Sequence, residues 1–378
     1  MSRTARWEVG SSFPLWSGNG SGWVDAPQPL RLYGSGRQAL AALLRFGERT
    51  YGWTRVHLPA YYCPPVARAV SEILPVSRYD TGPESPAVRP DPGPTEVVLS
   101  VSYFGGSPVT PVQPGAGLIV DATHDPLAPW LTELRPDYVV AGLRKTLPLP
   151  DGGAVWSPQG HSLPPKAALT RTHLATVARI LSAMAMKASY LAGVGDDAEK
   201  ERYLAAYASG EEGLGDPGIS GASDYTRHLL RLLPVHDLRR RRQRNARTLA
   251  DALGELPGVE VRRYPYGVVL VVESARRRAE VKSGLITERI YPAVLWPMDG
   301  QDAPERLHAY SERMLLLHSD FRWRSRDMKR VAAVVRAQLI GTRDTVVDDI
   351  RAVDPGLPGM RRPAPTRAAT AGPEGVAC

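Results

Sequence analysis

Two charged residues closely follow apolar runs of the chain. Asp121 comes directly after residues 117–120 (GLIV), and Lys145 lies four positions beyond residues 138–141 (YVVA). A carboxylate at the end of a buried strand is costly unless it pairs with a cation, caps a helix or holds a ligand. A lysine whose pKa is lowered by burial or by a neighbouring cation can form a Schiff base. Taken singly, each residue is more often structural, so the chemistry depends on its surroundings.

A glycine-rich turn, residues 34–39 (GSGRQA), precedes the first predicted helix. A GxGxxA pattern is typical of dinucleotide-binding turns. Such turns follow a buried strand, but residues 28–33 (QPLRLY) are a poor match to one. The acidic residue expected at the end of the next strand, about twenty positions on, is also missing. The free N–H groups and the dipole of a helix N-terminus can still hold one phosphate group. A phosphate cradle and an ordinary glycine-rich turn therefore both remain open from this motif alone.

Together these residues meet one chemical requirement, that of a pyridoxal phosphate site. Such a site needs a lysine for the aldimine, a carboxylate that keeps the pyridine nitrogen protonated, a phosphate cradle at a helix start, and a ring beside the cofactor. Their chain order, with the cradle first and the lysine last, is that of a fold type I enzyme. The candidates are Lys145, Asp121, the turn of Ser35, Gly36 and Arg37, and His124 with Tyr61 and Tyr62.

Several short motifs make the chain similar to the DegT/DnrJ/EryC1/StrS family of pyridoxal-phosphate aminotransferases. They occur in collinear order from residue 35 to residue 331, and each is short. The motifs are SGRQAL (35–40), LPAYYCPPVARAV (58–70), SYFG (102–105), IVDATH (119–124), GLRKTLPLPDGG (142–153) and, more loosely, 241–253 and 319–331.

The resemblance implies a role for each candidate. Lys145 would form the internal aldimine, and Asp121 would pair with the pyridine nitrogen. Tyr62 would lie near the ring face, and His124 would neighbour the cofactor. The phosphate would be held by Ser35, Gly36 and Arg37.

The chain also departs from the family pattern. The cradle usually reads SGT, whereas Arg37 here replaces the hydroxyl residue. Gly142 stands where many relatives carry a serine that contacts the phosphate. The aromatic residue that usually stacks on the ring aligns with either Tyr62 or Cys63 in this sequence. These departures leave the cofactor expected and the substrate open.

The resemblance implies transfer of an amino group from Glu or Gln to a keto-sugar or keto-cyclitol, in a homodimer with its sites at the interface. One alternative keeps the cofactor but acts on an amino acid by elimination, replacement or oxidation, because the same lysine and acid serve these reactions. The other is a non-catalytic regulator on the same fold, binding nucleic acid through an arginine-rich helix.

Short apolar runs that alternate with helical patterns predict an α/β fold with a largely parallel sheet. We expect an N-terminal arm (1–30), a large cofactor domain (31–233), a smaller α+β domain (234–352) and a disordered tail (353–378). In such sheets, ligands bind at the carboxyl ends of the strands, where Asp121 and Lys145 lie. Within the large domain, residues 167–208 predict one or two long helices, and residues 211–223 predict a glycine-rich loop.

Composition narrows the remaining possibilities. The 378 residues carry 47 Lys+Arg and 39 Asp+Glu, for a net charge of +8, and are 43% hydrophobic, which permits a large core. Six arginines fall within residues 239–247 at helical spacing, and a solvated or interface helix face is favoured over a phosphate-binding stripe. Nucleic acid is therefore a minor alternative as a partner.

The sequence also indicates a cellular setting. Two cysteines cannot build a disulfide framework or a cysteine-rich metal cage, and no metal motif is present, so we expect no metal. The first residues, MSRTARWEVGSS, lack the apolar region of a signal peptide, and no stretch is apolar enough to span a membrane. We expect a cytoplasmic protein without membrane contact.

Overall fold

The computed structural model describes residues 5–10, 12–84, 88–108 and 117–340. Short strands alternate with helices through the first half of the chain, as the apolar runs predict. These elements are β1 (Val9–Gly10), β2 (Arg31–Tyr33), α1 (Gly36–Tyr51), β3 (Arg55–Pro59), α2 (Pro64–Ser71), β4 (Val76–Tyr79), β5 (Glu96–Val101), β6 (Gly117–Asp121), α3 (Trp130–Leu134), β7 (Tyr138–Gly142) and β8 (Gly153–Trp156).

Seven of the described strands form one sheet in the order β2-β8-β7-β6-β5-β3-β4. The five strands from β7 to β4 are parallel, whereas β8 runs antiparallel to both of its neighbours. Alternate residues of β6 and β7 enter two different hydrophobic clusters, so both faces of the sheet are covered. The predicted α/β fold with a largely parallel sheet is confirmed, and the carboxyl ends of β6 and β7 meet at one edge.

Two long helices, α4 (Arg171–Leu191) and α5 (Asp197–Leu214), form an antiparallel pair after the sheet. The prediction of a loop from residue 211 onward is wrong for its first four residues, because α5 continues to Leu214. The helical glycines allow close packing. A Cβ on Gly210 would lie 2.4 Å from Cγ1 of Ile180, and one on Gly213 would lie 2.3 Å from Oγ1 of Thr176.

The C-terminal part of the described chain has its own antiparallel sheet, in the order β12-β10-β9. Three of its helices pack on this sheet to form a separate hydrophobic cluster. The elements are α6 (Asp224–Leu229), α7 (Val235–Leu253), β9 (Glu260–Arg263), β10 (Gly267–Val271), α8 (Ala275–Thr287), β11 (Ile290–Tyr291), α9 (Glu305–Arg313), β12 (Met314–His318) and α10 (Ser325–Ile340).

The N-terminal arm is tied to this C-terminal part. Its short strand β1 pairs in parallel with β11, and Trp323 donates a hydrogen bond of 3.0 Å to the carbonyl of Glu8. The strand β11 ends at Tyr291, because Pro292 has no N–H to continue the ladder.

Some expectations are not decided by these elements. The domain boundaries at residues 30, 233 and 352 stay predictions, and the expected disordered tail (353–378) lies outside the described residues. No helix among the described residues is both long and apolar enough to cross a membrane.

The packing of α4 against α5 makes a prediction about Gly210. In a free helix Gly→Ala usually stabilises by about 1 kcal/mol, but here the new Cβ would meet Ile180 at 2.4 Å. We expect Gly210→Ala to destabilise the protein by about 1–3 kcal/mol, because overpacking outweighs helix propensity. Urea denaturation measures this, with the exposed Ser209→Ala as the control. A stabilised Gly210→Ala would contradict the close packing.

Candidate active site

A cavity lies where the carboxyl ends of β6 and β7 meet the first turn of α1. Register pairs Asp121 of β6 with Val140 of β7, which brings the end of each strand to the same edge. Every residue that the sequence assigns to cofactor binding lines this cavity. These residues are Ser35, Gly36, Arg37, Tyr62, Asp121, His124 and Lys145.

The start of α1 is a polar wall of the cavity. Ser35 caps the helix and accepts a hydrogen bond of 3.3 Å from the backbone N–H of Gln38. Gly36 packs closely on β7, because a Cβ there would lie 3.1 Å from the Cα of Gly142 at the end of that strand. Arg37 is half-buried and makes no ion pair or hydrogen bond among the described residues. A helix N-terminus beside an unpaired guanidinium can hold a phosphate group.

Asp121 is held by two hydrogen bonds. The Tyr62 hydroxyl donates to its Oδ2 at 2.6 Å, and the backbone N–H of Thr123 donates to its Oδ1 at 2.9 Å. Burial raises the pKa of Asp121, while the hydrogen bonds from Thr123 and Tyr62 lower it. Each carboxylate oxygen keeps a lone pair, so Asp121 can also accept a hydrogen bond from a ring N–H in the cavity.

The two candidate tyrosines have different places. Tyr62 lines the cavity, and its position near a ring face stays a prediction. Tyr61 is buried outside the cavity lining, donating to the carbonyl of Leu295 at 2.6 Å and accepting from the N–H of Trp296 at 2.9 Å. Tyr61 therefore positions Trp296, which lines the cavity.

His124 is the centre of an aromatic stack. Its ring lies 4.4 Å from that of Tyr266 and 5.8 Å from that of Trp296, at interplanar angles of 24° and 18°. Its Nδ1 lies 3.2 Å from the backbone N–H of Phe104 and accepts a hydrogen bond from it. Burial, with the nearby Lys145 charge, lowers the pKa of His124 to about 3, so its imidazole is neutral at physiological pH.

Lys145 ends the 3-10 turn Leu143–Lys145, directly after β7. Its Nζ makes no hydrogen bond or ion pair within the described part of the chain and lines the cavity. Burial and the neighbouring Arg144 lower the pKa of Lys145 to about 7, while Glu211 opposes this shift. A large fraction of the amine is therefore unprotonated near neutral pH, as a nucleophilic lysine requires.

Glu211 influences the charge around Lys145, and the sequence analysis does not identify it. Because α5 continues through this position, its carboxylate reaches Arg144 and forms an ion pair with it. The resulting pair lies beside Arg37 and Lys145, with which Glu211 also interacts electrostatically. A segment that looked like a loop gave no signal for this placement.

The loop that contains Lys145 (residues 143–151, the lysine loop) is followed by Gly152 and Gly153. A buried cluster around Asp151 anchors this glycine pair. Its carboxylate binds His173 at 3.0 Å and the Ser223 hydroxyl at 2.8 Å, and it also accepts from Thr226. Gly153 then passes so close to the cradle that a Cβ would lie 2.0 Å from the Ser35 carbonyl oxygen. This cluster ties the lysine loop to α4, α6 and the start of α1.

The arginines of α7 fall into two groups. Some contact residues near the Lys145 loop, and others are exposed to solvent. Arg239 forms an ion pair with Asp125, with nitrogen–oxygen distances of 2.8 Å, and the buried Arg242 donates to the Thr146 carbonyl. Arg240 pairs with the neighbouring Asp237. Arg241, Arg244 and Arg247 are exposed. The segment is thus partly an interface that holds the residues next to Lys145 and Asp121.

Two further observations bear on chemistry. Trp296 and Tyr266 come from the C-terminal part, where short irregular segments carry no periodic signal, so the sequence analysis does not identify them. Among the described residues, no group of three or more His, Cys, Asp or Glu side chains could hold a metal ion.

The Arg144–Glu211 pair predicts how Lys145 responds to substitution. Glu211→Gln removes an anion that favours the ammonium form, so the pKa of Lys145 falls further below about 7. We expect half-maximal labelling of Lys145 by an amine-reactive reagent, followed by peptide mass spectrometry, to move to lower pH. The exposed neighbour Glu212→Gln should leave the profile unchanged. A shift to higher pH in Glu211→Gln would contradict this charge arrangement.

No protein-family model and no curated protein matches this chain. Solved structures do match. Spr1654 from Streptococcus pneumoniae, assigned as a sugar aminotransferase, aligns in its apo form over 86% of this chain and 88% of its own, with 11% identity and a TM-score of 0.51. It has also been solved in PLP and PMP forms.

Other structures extend the comparison. An archaeal O-phosphoseryl-tRNA(Sec) selenium transferase covers 81% of this chain and 69% of its own, with 15% identity and a TM-score of 0.51. A DegT DnrJ EryC1 StrS aminotransferase from Brucella abortus covers 82% and 86%, with 15% identity and a TM-score of 0.48. At these identities the similarity concerns the fold, and the chain has the predicted fold of the fold type I pyridoxal-phosphate enzymes.

Proposed function

We propose that this protein is a pyridoxal-phosphate-dependent aminotransferase of the DegT/DnrJ/EryC1/StrS type, which moves an amino group from Glu or Gln to a keto-sugar or keto-cyclitol. One observation carries the proposal. The unpaired amine of Lys145 shares a single cavity with the α1 start and with the Asp121 carboxylate.

The residues present fit this cofactor. Ser35 and Gly36, at the N-terminus of α1, line the cavity, and Arg37 adds a positive charge that makes no hydrogen bond or ion pair among the described residues. The carboxylate of Asp121 faces the same cavity as the Lys145 amine. A phosphate, a pyridine nitrogen and an aldehyde therefore each have a chemically matched group, namely the α1 start, Asp121 and Lys145.

The cofactor, when bound, supplies an electron sink that stabilises the carbanion left by removal of the substrate α-proton. Ser35 and Arg37 would bind its phosphate, with the backbone N–H groups of the first α1 turn. Asp121 would hold a proton on its ring nitrogen. His124, neutral in its aromatic stack, would lie beside the ring without adding charge.

Lys145 would carry the proton transfers. Its Nζ has a pKa near 7, so it can take the substrate α-proton and return it at physiological pH. The ion pair of Arg144 with Glu211 limits the positive charge around this amine.

The acceptor class rests on two supports, the family resemblance and the assignment of Spr1654 as a sugar aminotransferase. A second candidate is replacement or elimination on an amino-acid substrate. The selenium transferase, which matches this chain with an equal TM-score, favours it, since that protein is named for a different transfer reaction on the same fold.

The cofactor assignment predicts a visible absorption band in the purified protein. We expect Lys145→Ala to lose the band and all donor-dependent conversion, because no other described residue offers an amine in the cavity. Lys166→Ala, at an exposed position, is the matched control and should keep both. Adding Glu or Gln should convert the wild-type band. No band in wild-type protein, or a persistent band in Lys145→Ala, would overturn the cofactor assignment.

The same spectra separate the two candidate reactions. Conversion by another amino acid, with Glu and Gln inert, would favour replacement or elimination over sugar amination. Conversion by Glu or Gln that reverses on addition of a keto-sugar would support the aminotransferase.

We further propose a cytoplasmic homodimer with its sites at the interface, supported by the family resemblance. Sedimentation should then give a particle of twice the 41.1 kDa chain mass. A monomer that retains full conversion of the donor would contradict an interfacial site.

A further inference from the structure

We propose that Tyr62 is a positioning residue that orients Asp121 and keeps it ionised for the cofactor nitrogen. This inference rests on the proposed function, because it gives Tyr62 a role toward the cofactor.

The geometry commits the Tyr62 hydroxyl to Asp121. Tyr62 is 1% exposed, and its phenol oxygen lies 2.6 Å from Oδ2 of the carboxylate. The backbone N–H of Thr123 holds Oδ1 from the other side at 2.9 Å. With one donor on each oxygen, the carboxylate cannot rotate without breaking a hydrogen bond. Its two remaining lone pairs are therefore fixed in direction.

The ring of Tyr62 is also held by its neighbours. It meets the Trp296 ring edge-to-face, at a centroid distance of 6.0 Å and an interplanar angle of 88°. Trp296 in turn stacks on His124, and Tyr61 holds its backbone N–H. The phenol is thus packed between the Asp121 carboxylate and an aromatic wall.

A phenol donor changes the chemistry of the carboxylate. A hydrogen bond to the ionised form stabilises that form, so the bond opposes the cost of burying Asp121. The carboxylate stays ionised at a lower pH than an unassisted buried carboxyl would. An ionised Asp121 is the form that can pair with a protonated pyridine nitrogen.

Other charged groups border the same cavity. Lys145 and His124 are titratable and face it, and Arg37 and Arg144 carry permanent charge. Tyr103 lies near both Tyr62 and Asp121 and interacts with them electrostatically. None of these five donates a hydrogen bond to Asp121 among the described residues. The side chains of Thr123 and Tyr62 both stabilise the ionised carboxylate, so removal of the Tyr62 hydroxyl takes away one of two side-chain contributions.

The test measures binding of pyridoxamine 5'-phosphate to the full-length protein, freed of cofactor, over a range of pH. This probe makes no covalent bond to Lys145, so the profile does not report the lysine amine as nucleophile. In Tyr62→Phe we expect the acid limb of the binding profile to move up by about one pH unit. At pH values below the acid limb, Tyr62→Phe should bind the probe about tenfold more weakly than the wild type.

Tyr61→Phe is the matched control. It removes a hydroxyl from an equally buried neighbour, but that hydroxyl bonds Leu295 and Trp296 instead of Asp121. We expect its acid limb to coincide with that of the wild type. In an Asp121→Asn background, Tyr62→Phe should produce no further shift, because the carboxylate through which it acts is gone.

The outcomes distinguish the inference from the proposed function. If wild-type protein shows neither a visible band nor probe binding, the proposed function fails and the inference falls with it. If wild type binds and the acid limb of Tyr62→Phe coincides with it, or Tyr61→Phe shifts equally, the inference alone is overturned. Should Tyr62→Phe not fold, 3-fluorotyrosine at position 62 keeps the ring and is a stronger donor. It should move the limb to lower pH, and an unmoved limb would overturn the inference.

Discussion

The candidate site depends on a close approach between a helix and a strand. The N-terminus of α1 meets the end of β7 at Gly36 and Gly142, where a Cβ on Gly36 would lie a tight 3.1 Å from the Gly142 Cα. Gly153 passes the Ser35 carbonyl even more closely. These contacts place the polar start of α1 beside the loop that contains Lys145. Arg37, Arg144 and Lys145 therefore lie close to one another in the cavity wall.

Charge balance follows from the same junction. Three cationic side chains, Arg37, Arg144 and Lys145, gather near the α1 start, and two carboxylates, Asp121 and Glu211, oppose them. Burial makes this balance matter, since charges inside a cavity are screened less than on the surface. The result is a lysine with a pKa near 7 and a histidine that stays neutral. At the α1 end of the cavity, Arg37 and the helix N-terminus would face the negative charge of a phosphate group.

The sequence predicted the parts of the site that follow directly from strand ends. Asp121 and Lys145 are positioned by β6 and β7, whose apolar runs are easy to identify, and the predicted cavity residues do line one cavity. Glu211 and Trp296 were missed for different reasons. Glycines within α5 resembled loop residues because their purpose, close packing on α4, involves a distant segment. Trp296 reaches the cavity from an irregular segment of the C-terminal part, where only tertiary contacts decide its place.

The central claim is that Lys145 holds the cofactor, and reductive trapping tests it most directly. Purified protein would be treated with borohydride, digested and analysed by mass spectrometry for a phosphopyridoxyl adduct. The account predicts the adduct on the peptide that contains Lys145, in the wild type and in the Lys166→Ala control. An adduct on a different lysine, or none in protein that shows a visible cofactor band, would contradict the account.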